Sequence, residues 1–410
     1  MEYLQNGLRL ISKRTQTNSI LGVVCLVRTG SFYEKASESG LANLTQSLLV
    51  KGTDNYTASE LAIALESQGI SMSTDTSEDY VSLSAVATIE QLDKVLELMA
   101  EVIFNTSFPE AEIEKEKNNA IASIYIHEDN KSYLALKNLR EILFEGHPYA
   151  RIPSGEPETI SAITRKSIMD FHERFYKPPN MILSIVGDIP EKELKESVRT
   201  HFDVPSLEFV ELVSATKTFN PTIKTRTLEK PMEQGFVALG YMGVPMDHQD
   251  YPALRVACAL LGEGMASRLF THLRDRQGLA YAVGSFYLKL KLNGSIVGFI
   301  GTRPDSIENA RLRMRTMFEN LCEQPIPEEE LERAKNYIIG KYLVGHETNI
   351  QQAFYLAWFS MLDLGLDFDE KYPEIIRSVT VEDVKRVAKK YLHSPSEVVL
   401  IPEKENENER

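Results

Sequence analysis

The chain repeats itself, and this limits its possible folds more than any other feature. Gly22-Val-Val-Cys-Leu-Val-Arg-Thr-Gly30 lines up with Gly235-Phe-Val-Ala-Leu-Gly-Tyr-Met-Gly243, each reading as a strand followed by a turn. Phe108-Pro-Glu-Ala-Glu-Ile-Glu-Lys-Glu-Lys-Asn118 lines up with Ile326-Pro-Glu-Glu-Glu-Leu-Glu-Arg-Ala-Lys-Asn336. Thr164, a helix into Tyr176-Lys-Pro-Pro and a strand from Ile182 to Val186 are answered by Thr380, a helix into Tyr391-Leu-His-Ser-Pro and a strand from Val398 to Ile401. The offset stays a little over 210 residues and the order is kept. Convergent composition would not preserve order and spacing together. A chain of 410 residues is also too long for one ordinary core,. The expectation is one α+β unit duplicated: a repeat over 1–207, a linker over 208–223 where the pattern lapses, a second repeat over 224–402, and a tail over 403–410 too polar to pack,.

Within the first repeat, residues 7–13 and 20–28 read as strands, the second almost wholly apolar and therefore buried,. The stretch Ser39 to Thr53 reads as a helix with Ser39 as N-cap and Gly52 at its end,. Leu41, Leu44, Leu48 and Leu49 form its apolar stripe, and Asn43, Gln46 and Ser47 share a separate polar face at i, i+3 and i+4,. Ala58 to Gln68 is a second helix, and the alternation over Ser71 to Ala87 predicts a strand pair,. Gln91–Phe104, Glu110–Glu128 and Arg165–Tyr176 read as helices, and Met181–Val186 as a buried strand,.

Composition excludes some functions. Fifty-nine acidic residues against 45 basic ones give a formal charge of -14, which disfavours a nucleic-acid partner,. No apolar run approaches the length of a membrane span, and the first residues lack a signal-peptide pattern, so the expected compartment is the cytoplasm,. Cys25, Cys258 and Cys322 are scattered through apolar surroundings and read as free thiols,. A zinc hydrolase needs clustered ligands and a base for the attacking water. His127, His172 and His346 each precede a Glu, but Lys131, Tyr176 and Ile350 stand where a second histidine would be needed,. There is no nucleophile elbow, and Gly262-Glu-Gly264 lacks the ending of a phosphate loop,.

Several stretches, in their order, resemble the pitrilysin and mitochondrial-processing-peptidase family of inverted zinc peptidases. They are Arg28-Thr-Gly-Ser-Phe-Tyr-Glu-Lys35, Gly40 through Thr53, Gly146-His-Pro-Tyr149, Phe171 through Asn180, Val186-Gly-Asp188, Gly262 through Phe270 and Leu273-Arg-Asp-Arg-Gln-Gly-Leu-Ala-Tyr281. The resemblance covers essentially the whole chain. It implies two duplicated α/β-roll domains, each an antiparallel-rich sheet covered by helices, forming half of a clamshell dimer.

The departure from that family matters as much as the match. Its zinc helix carries H-x-x-E-H, and the corresponding positions here are Asn43, Gln46 and Ser47. The family's third ligand, a Glu on a later helix, corresponds to the pair Ala122 and Ser123. An amide and a hydroxyl bind zinc poorly, and a glutamine cannot take a proton from water, so no metal is expected in this chain. The family's Arg and Tyr, which reach a zinc site in the opposite half, correspond to Arg274 and Tyr281. A guanidinium and a phenol can both donate to a peptide carbonyl and the oxyanion that develops on it. Ser71, Ser73 and Thr74 fall on the strand that resembles the family's substrate-binding edge,. The resemblance thus implies the non-zinc subunit of a heterodimeric peptidase. A homologous partner would carry the zinc, with a homodimer as an option for the isolated chain. The alternatives are an inactive peptide-binding scaffold of the same family, or a peptidase with an unusual metal site involving His147 or His172.

Overall fold

The computed structural model describes residues 1–205 and 223–403, so the tail beyond 403 and nearly all of the expected linker lie outside the described residues. The first repeat contributes strands β1 (Glu2–Tyr3), β2 (Arg9–Arg14), β3 (Ile20–Val27), β4 (Ser71–Thr76), β5 (Val81–Thr88) and β6 (Met181–Gly187). Its helices are α1 (Leu41–Leu48), α2 (Ala58–Glu66), α3 (Leu92–Phe104), α4 (Glu110–Glu128), α5 (Lys131–Leu143), α6 (Pro157–Ala162), α7 (Arg165–Phe175) and α8 (Glu191–Phe202). The second repeat contributes β7 (Thr225–Lys230), β8 (Gly235–Met242), β9 (Ala282–Lys289), β10 (Gly294–Thr302) and β11 (Ser396–Pro402). Its helices are α9 (Tyr251–Gly262), α10 (Ile307–Glu319), α11 (Glu328–Val344), α12 (Asn349–Met361), α13 (Phe368–Arg377) and α14 (Val381–Tyr391). Among the described residues no helix is long and apolar enough to cross a membrane.

The duplication is explicit in the sheets. One runs β1-β2-β6-β3-β5-β4 and the other β7-β11-β8-β10-β9, the same order once β1 is set aside. Every neighbouring pair is antiparallel except β2 with β6 and β7 with β11, which are parallel at the same place in each sheet. This is the expected antiparallel-rich α+β unit, built twice.

Strand β3 shows why its sequence lacks alternation. Side chains on successive strand residues point to opposite faces. Leu21, Val23, Cys25 and Val27 enter a core with Leu44 and Leu48 of α1, Leu96 of α3 and Phe175 of α7. Val24 and Leu26 enter another core with Ile11, Ile182 and Val186, closed by Ala353, Leu356, Ala357 and Met361 of α12. A sheet covered on both faces reads as a continuous apolar run. The covering helix α12 comes from the second repeat. In return α5, from the first repeat, sets Ala135, Leu139 and Ile142 against Phe236, Ala238, Val398 and Leu400 of the other sheet. Each repeat therefore lends one helix to the other's sheet. One compact unit gathers Met1–Tyr125, the segment from Arg151 and Val344–Asp369, and the other gathers Ile126–Ala150, the described residues through Leu343 and those from Glu370.

The docking of α12 is close and specific. Thr348 and Gln351 close a capping box at its start,. Asn349, 3% exposed, donates its amide to the Ile20 carbonyl at 2.6 Å. Beside it, a Cβ on Gly22 would lie 2.5 Å from the Ile350 nitrogen. In the second unit Asp250 does comparable work between helices, accepting from Arg386 at 2.5 Å, Lys390 at 2.9 Å and the Tyr391 hydroxyl at 2.7 Å. Burial raises the pKa of Asp250, but those three donors outweigh it and hold the carboxyl well below the usual range,.

Two outcomes follow. Gly22→Ala forces backbone against backbone and lowers stability by about 2 kcal/mol, read as a shifted urea midpoint at unchanged slope. Asp250→Asn costs about 2 kcal/mol at neutral pH, since it removes the charge that Arg386 and Lys390 face. A depressed carboxyl pKa contributes stability above the unfolded value of about 4, and that contribution fades as pH falls toward the folded value. The gap between native protein and Asp250→Asn should therefore be constant from neutral pH down to the unfolded value of about 4 and narrow below it, which urea titrations at several pH values check.

Candidate functional site

Helix α1 starts later and is held differently from the sequence expectation. It spans Leu41–Leu48 and tightens into a 3-10 turn over Leu49–Lys51. Its N-cap is Gly40 at φ +93°, not Ser39, and no side chain of the cap residue bonds to the first turn. A Cβ at Gly40 would sit 2.4 Å from Cδ1 of Ile160, so only glycine fits,. The orphan donors are met by Glu34, whose carboxylate accepts from Gly40 N at 3.0 Å and Ala42 N at 2.7 Å,. Burial pushes the Glu34 pKa up to about 7, against the pull of these two N–H groups and of Arg151. Arg151 in turn donates to the Glu34 carbonyl at 2.7 Å.

The expected polar face of α1 is not a uniform surface. Asn43 and Ser47 are half-buried, whereas Gln46 is 1% exposed. Its amide is bonded at both ends: Nε2 donates to the Ser82 carbonyl on β5 at 2.6 Å, and Oε1 accepts from the Tyr176 hydroxyl at 2.6 Å. Ser47 donates to the Leu44 carbonyl at 2.9 Å. Lys51 pairs with Glu116 of α4 at 3.2 Å, and farther along α4, Ala122 and Ser123 lie on its exposed side. These residues do not suit zinc. An amide satisfied at both ends, a hydroxyl, a methyl group and an asparagine provide neither anionic nor imidazole ligands. Among the described residues no three of His, Cys, Asp and Glu are grouped to hold a metal ion. His172 donates Nε2 to the Ile103 carbonyl at 2.8 Å, stacks on Tyr176 at 4.5 Å, and is pushed down to about 4 by burial. Nδ1 of buried His147 accepts from Tyr149 N at 3.1 Å. Both histidines have structural bonds in place.

Strand β4, with Ser71, Ser73 and Thr74, is the edge of its sheet, paired on one side only with β5. Ser71 and Ser73 are exposed, while Thr74 shares the half-buried face with Met72, which packs on the core beside α1,.

Arg274 lies in a π-helical turn over Phe270–Asp275, marked by the bond from Arg276 N to the Thr271 carbonyl at 3.2 Å,. Its guanidinium sits 4.8 Å from the centre of the Phe270 ring. The chain then closes with Gly278 N on the Arg274 carbonyl at 3.0 Å and Leu279 N on the Leu273 carbonyl at 2.9 Å. Thr302 donates its hydroxyl to the Leu279 carbonyl at 2.6 Å, and Tyr281 N donates to the Gly301 carbonyl at 2.9 Å, leading directly into β9. Both the Arg274 and Tyr281 side chains are exposed, Tyr281 at 50%, and neither makes a side-chain hydrogen bond or ion pair among the described residues. The backbone between them is thus fixed at several points while their donors face solvent. The ties of Glu34 to α1 and of Tyr176 to Gln46 carry no sequence signal, since the second joins residues 130 positions apart.

Comparison with known proteins bears on the whole chain. The family described as "Insulinase (Peptidase family M16)" matches residues 9–155, and "Peptidase M16 inactive domain" matches residues 162–338. An "Uncharacterized zinc protease" of Rickettsia felis is 25% identical, covering 97% of this chain and 96% of its own. "Uncharacterized zinc protease YmxG" of Bacillus subtilis is 25% identical over 93% and 92% of the two chains. A protease from Helicobacter pylori superposes with a TM-score of 0.90 at 26% identity, with 98% of each chain covered. A peptidase M16 inactive domain from Pseudomonas fluorescens superposes with a TM-score of 0.91 at 22% identity over 98% of each chain, a likeness of fold.

The Gln46 bridge gives a direct test. In Gln46→Glu a carboxylate oxygen replaces the N–H donor that faces the Ser82 carbonyl, costing about 2 kcal/mol at neutral pH. Burial raises the folded pKa of such a carboxyl above its unfolded value, so the folded state binds more protons. The deficit should shrink as pH falls through that raised value, because a protonated carboxyl donates to Ser82 again. Thermal unfolding of both proteins at pH 5 and pH 8 measures it.

Proposed function

The chain belongs to peptidase family M16, and from that premise we propose that it is the non-zinc-binding subunit of a heterodimeric zinc metallopeptidase that cleaves or processes peptides. The observation that carries this reading is a contrast between two parts of the same chain. On α1 the zinc-site positions are all occupied by residues that cannot bind or use the metal, and Gln46 is built into the packing. On the turn before β9, Arg274 and Tyr281 stay exposed and free of side-chain hydrogen bonds or ion pairs among the described residues, on a backbone pinned at both ends. A purely structural segment has no use for two uncommitted donors held in fixed register.

In this reading a homologous subunit with an intact H-x-x-E-H helix holds zinc and the base. This chain contributes Arg274 and Tyr281, which donate hydrogen bonds to the substrate carbonyl and to the negative charge that grows on its oxygen. Preorganised donors act best where no reorganisation is needed during reaction, and the pinned turn supplies that rigidity. The open edge of β4 accepts an extended peptide by strand addition, with Ser71 and Ser73 on the exposed face and Thr74 on the other,. In isolation the chain forms a homodimer without peptidase activity.

Mixing the purified chain with its H-x-x-E-H partner from the same cell should give peptide cleavage that neither protein shows alone. An Arg274→Ala, Tyr281→Phe double variant should associate normally, measured by size-exclusion chromatography, yet lower kcat/KM of the mixture by about 100-fold. Unchanged activity would remove the role given to the pair. Association without any gain in cleavage would leave a scaffold as the function.

A further inference from the structure

Leu269 and Leu273, at i and i+4, are both fully buried and anchor the turn that carries Arg274. Phe270 and Arg274 repeat that spacing one residue later, so they share the neighbouring face of the same turn,. The turn is held before it begins. Buried Arg268 grips the Glu330 carboxylate with Nε at 2.7 Å and Nη2 at 2.8 Å, and its Nη2 also donates to the Pro325 carbonyl at 2.8 Å. Thr271 donates its hydroxyl to the Ser267 carbonyl at 2.9 Å. Phe270 lies between these fixed points and is half-buried, whereas Arg274 is exposed.

A pinned backbone does not fix an arginine. Several rotatable bonds separate the guanidinium from the chain, and an exposed side chain keeps its rotamer freedom unless something restrains the head. Among the described residues Arg274 has no side-chain hydrogen bond or ion pair. Its guanidinium instead lies 4.8 Å from the centre of the Phe270 ring, inside the distance of about 6 Å over which a ring face attracts a cation,. This contact restrains the head without consuming its donors, because a phenyl ring offers no oxygen to the N–H groups. A carboxylate in the same place would hold the guanidinium as firmly and occupy its fork.

We propose that Phe270 is a positioning residue, whose ring face holds the Arg274 guanidinium in place and leaves its N–H donors open to an acceptor outside the chain. The consequence for peptide cleavage rests on the peptidase reading above; the contact itself does not. Rigidity then comes from two sources, hydrogen bonds for the backbone and one ring for the head group.

Two measurements test this, the first on the full chain alone. With arginines labelled in nitrogen-15, the Nε–H resonance of Arg274, assigned through Arg274→Lys, should be displaced by the ring current from that of exposed Arg303. Phe270→Leu and Phe270→Met, two apolar side chains without a ring face, should each remove the displacement, and Phe270→Tyr should keep it. A resonance unmoved by both ring-free variants would overturn the contact. In the mixture with the H-x-x-E-H partner, Phe270→Leu should lower kcat about two- to fivefold at unchanged KM, the size expected of an exposed cation–π contact, and Phe270→Tyr should restore it. In an Arg274→Ala background the same substitution should change nothing further. Equal losses with and without Arg274 would assign the effect to packing and overturn the positioning role. Full activity of Arg274→Ala would instead overturn the part given to the arginine in cleavage, and the resonance would still decide the contact.

Discussion

The central strands of each sheet are buried on both faces, and the second face is covered by a helix borrowed from the other repeat. Much of the remaining structure depends on that constraint. With α12 seated on β3 through Val24 and Leu26, and the opposite side of β3 seated on α1, α3 and α7, the strand has no freedom to shift. Its end therefore fixes the loop that carries Glu34, and Glu34 supplies the acceptors that α1 lacks in its own cap. Its neighbour β5 presents the Ser82 carbonyl to Gln46. Helix α1 is thus held from its start by a carboxylate and from its middle by an amide.

That arrangement keeps α1 in place through neutral and backbone partners alone at Gln46. A buried base in a peptidase must stay ionisable and reachable by water, which conflicts with tight burial. Glutamine removes the conflict: it is neutral, and its two ends satisfy one acceptor and one donor that the fold already provides. Asn43 and Ser47 are only half-buried, and Ser47 turns back to its own helix. On the second repeat the opposite balance holds. The backbone around Arg274 and Tyr281 is heavily bonded, while among the described residues their side chains make no hydrogen bond or ion pair.

The strands, the long helices and the apolar stripe of α1 were legible because their periodicity is local. Glu110–Glu128 was bounded at the sequence level as it stands in the structure, and Leu41, Leu44, Leu48 and Leu49 are all buried. Ser39 misled, since a serine before a helix is a good cap by type. The left-handed Gly40 takes the cap position instead, and the carboxylate of Glu34 accepts from Gly40 N and Ala42 N. Gln46 misled for a related reason. Spacing placed it beside Asn43 and Ser47, but only packing shows that Tyr176 and β5 close over it.

The sequence by itself determined the duplication, many of the strands and helices, and the neutral residue types at Asn43, Gln46 and Ser47. These are written in order, spacing and side-chain chemistry, and no fold can restore a missing imidazole. The tertiary structure alone decided which sheet each amphipathic helix covers. An apolar stripe states that a helix must be buried and is silent on its partner, so the exchange of α5 and α12 is invisible in the chain. It also decided which polar groups are spent and which are free. Gln46 and Arg274 are both polar residues on helical turns, and only the surroundings made the first a bridge inside the core and the second an open donor at the surface.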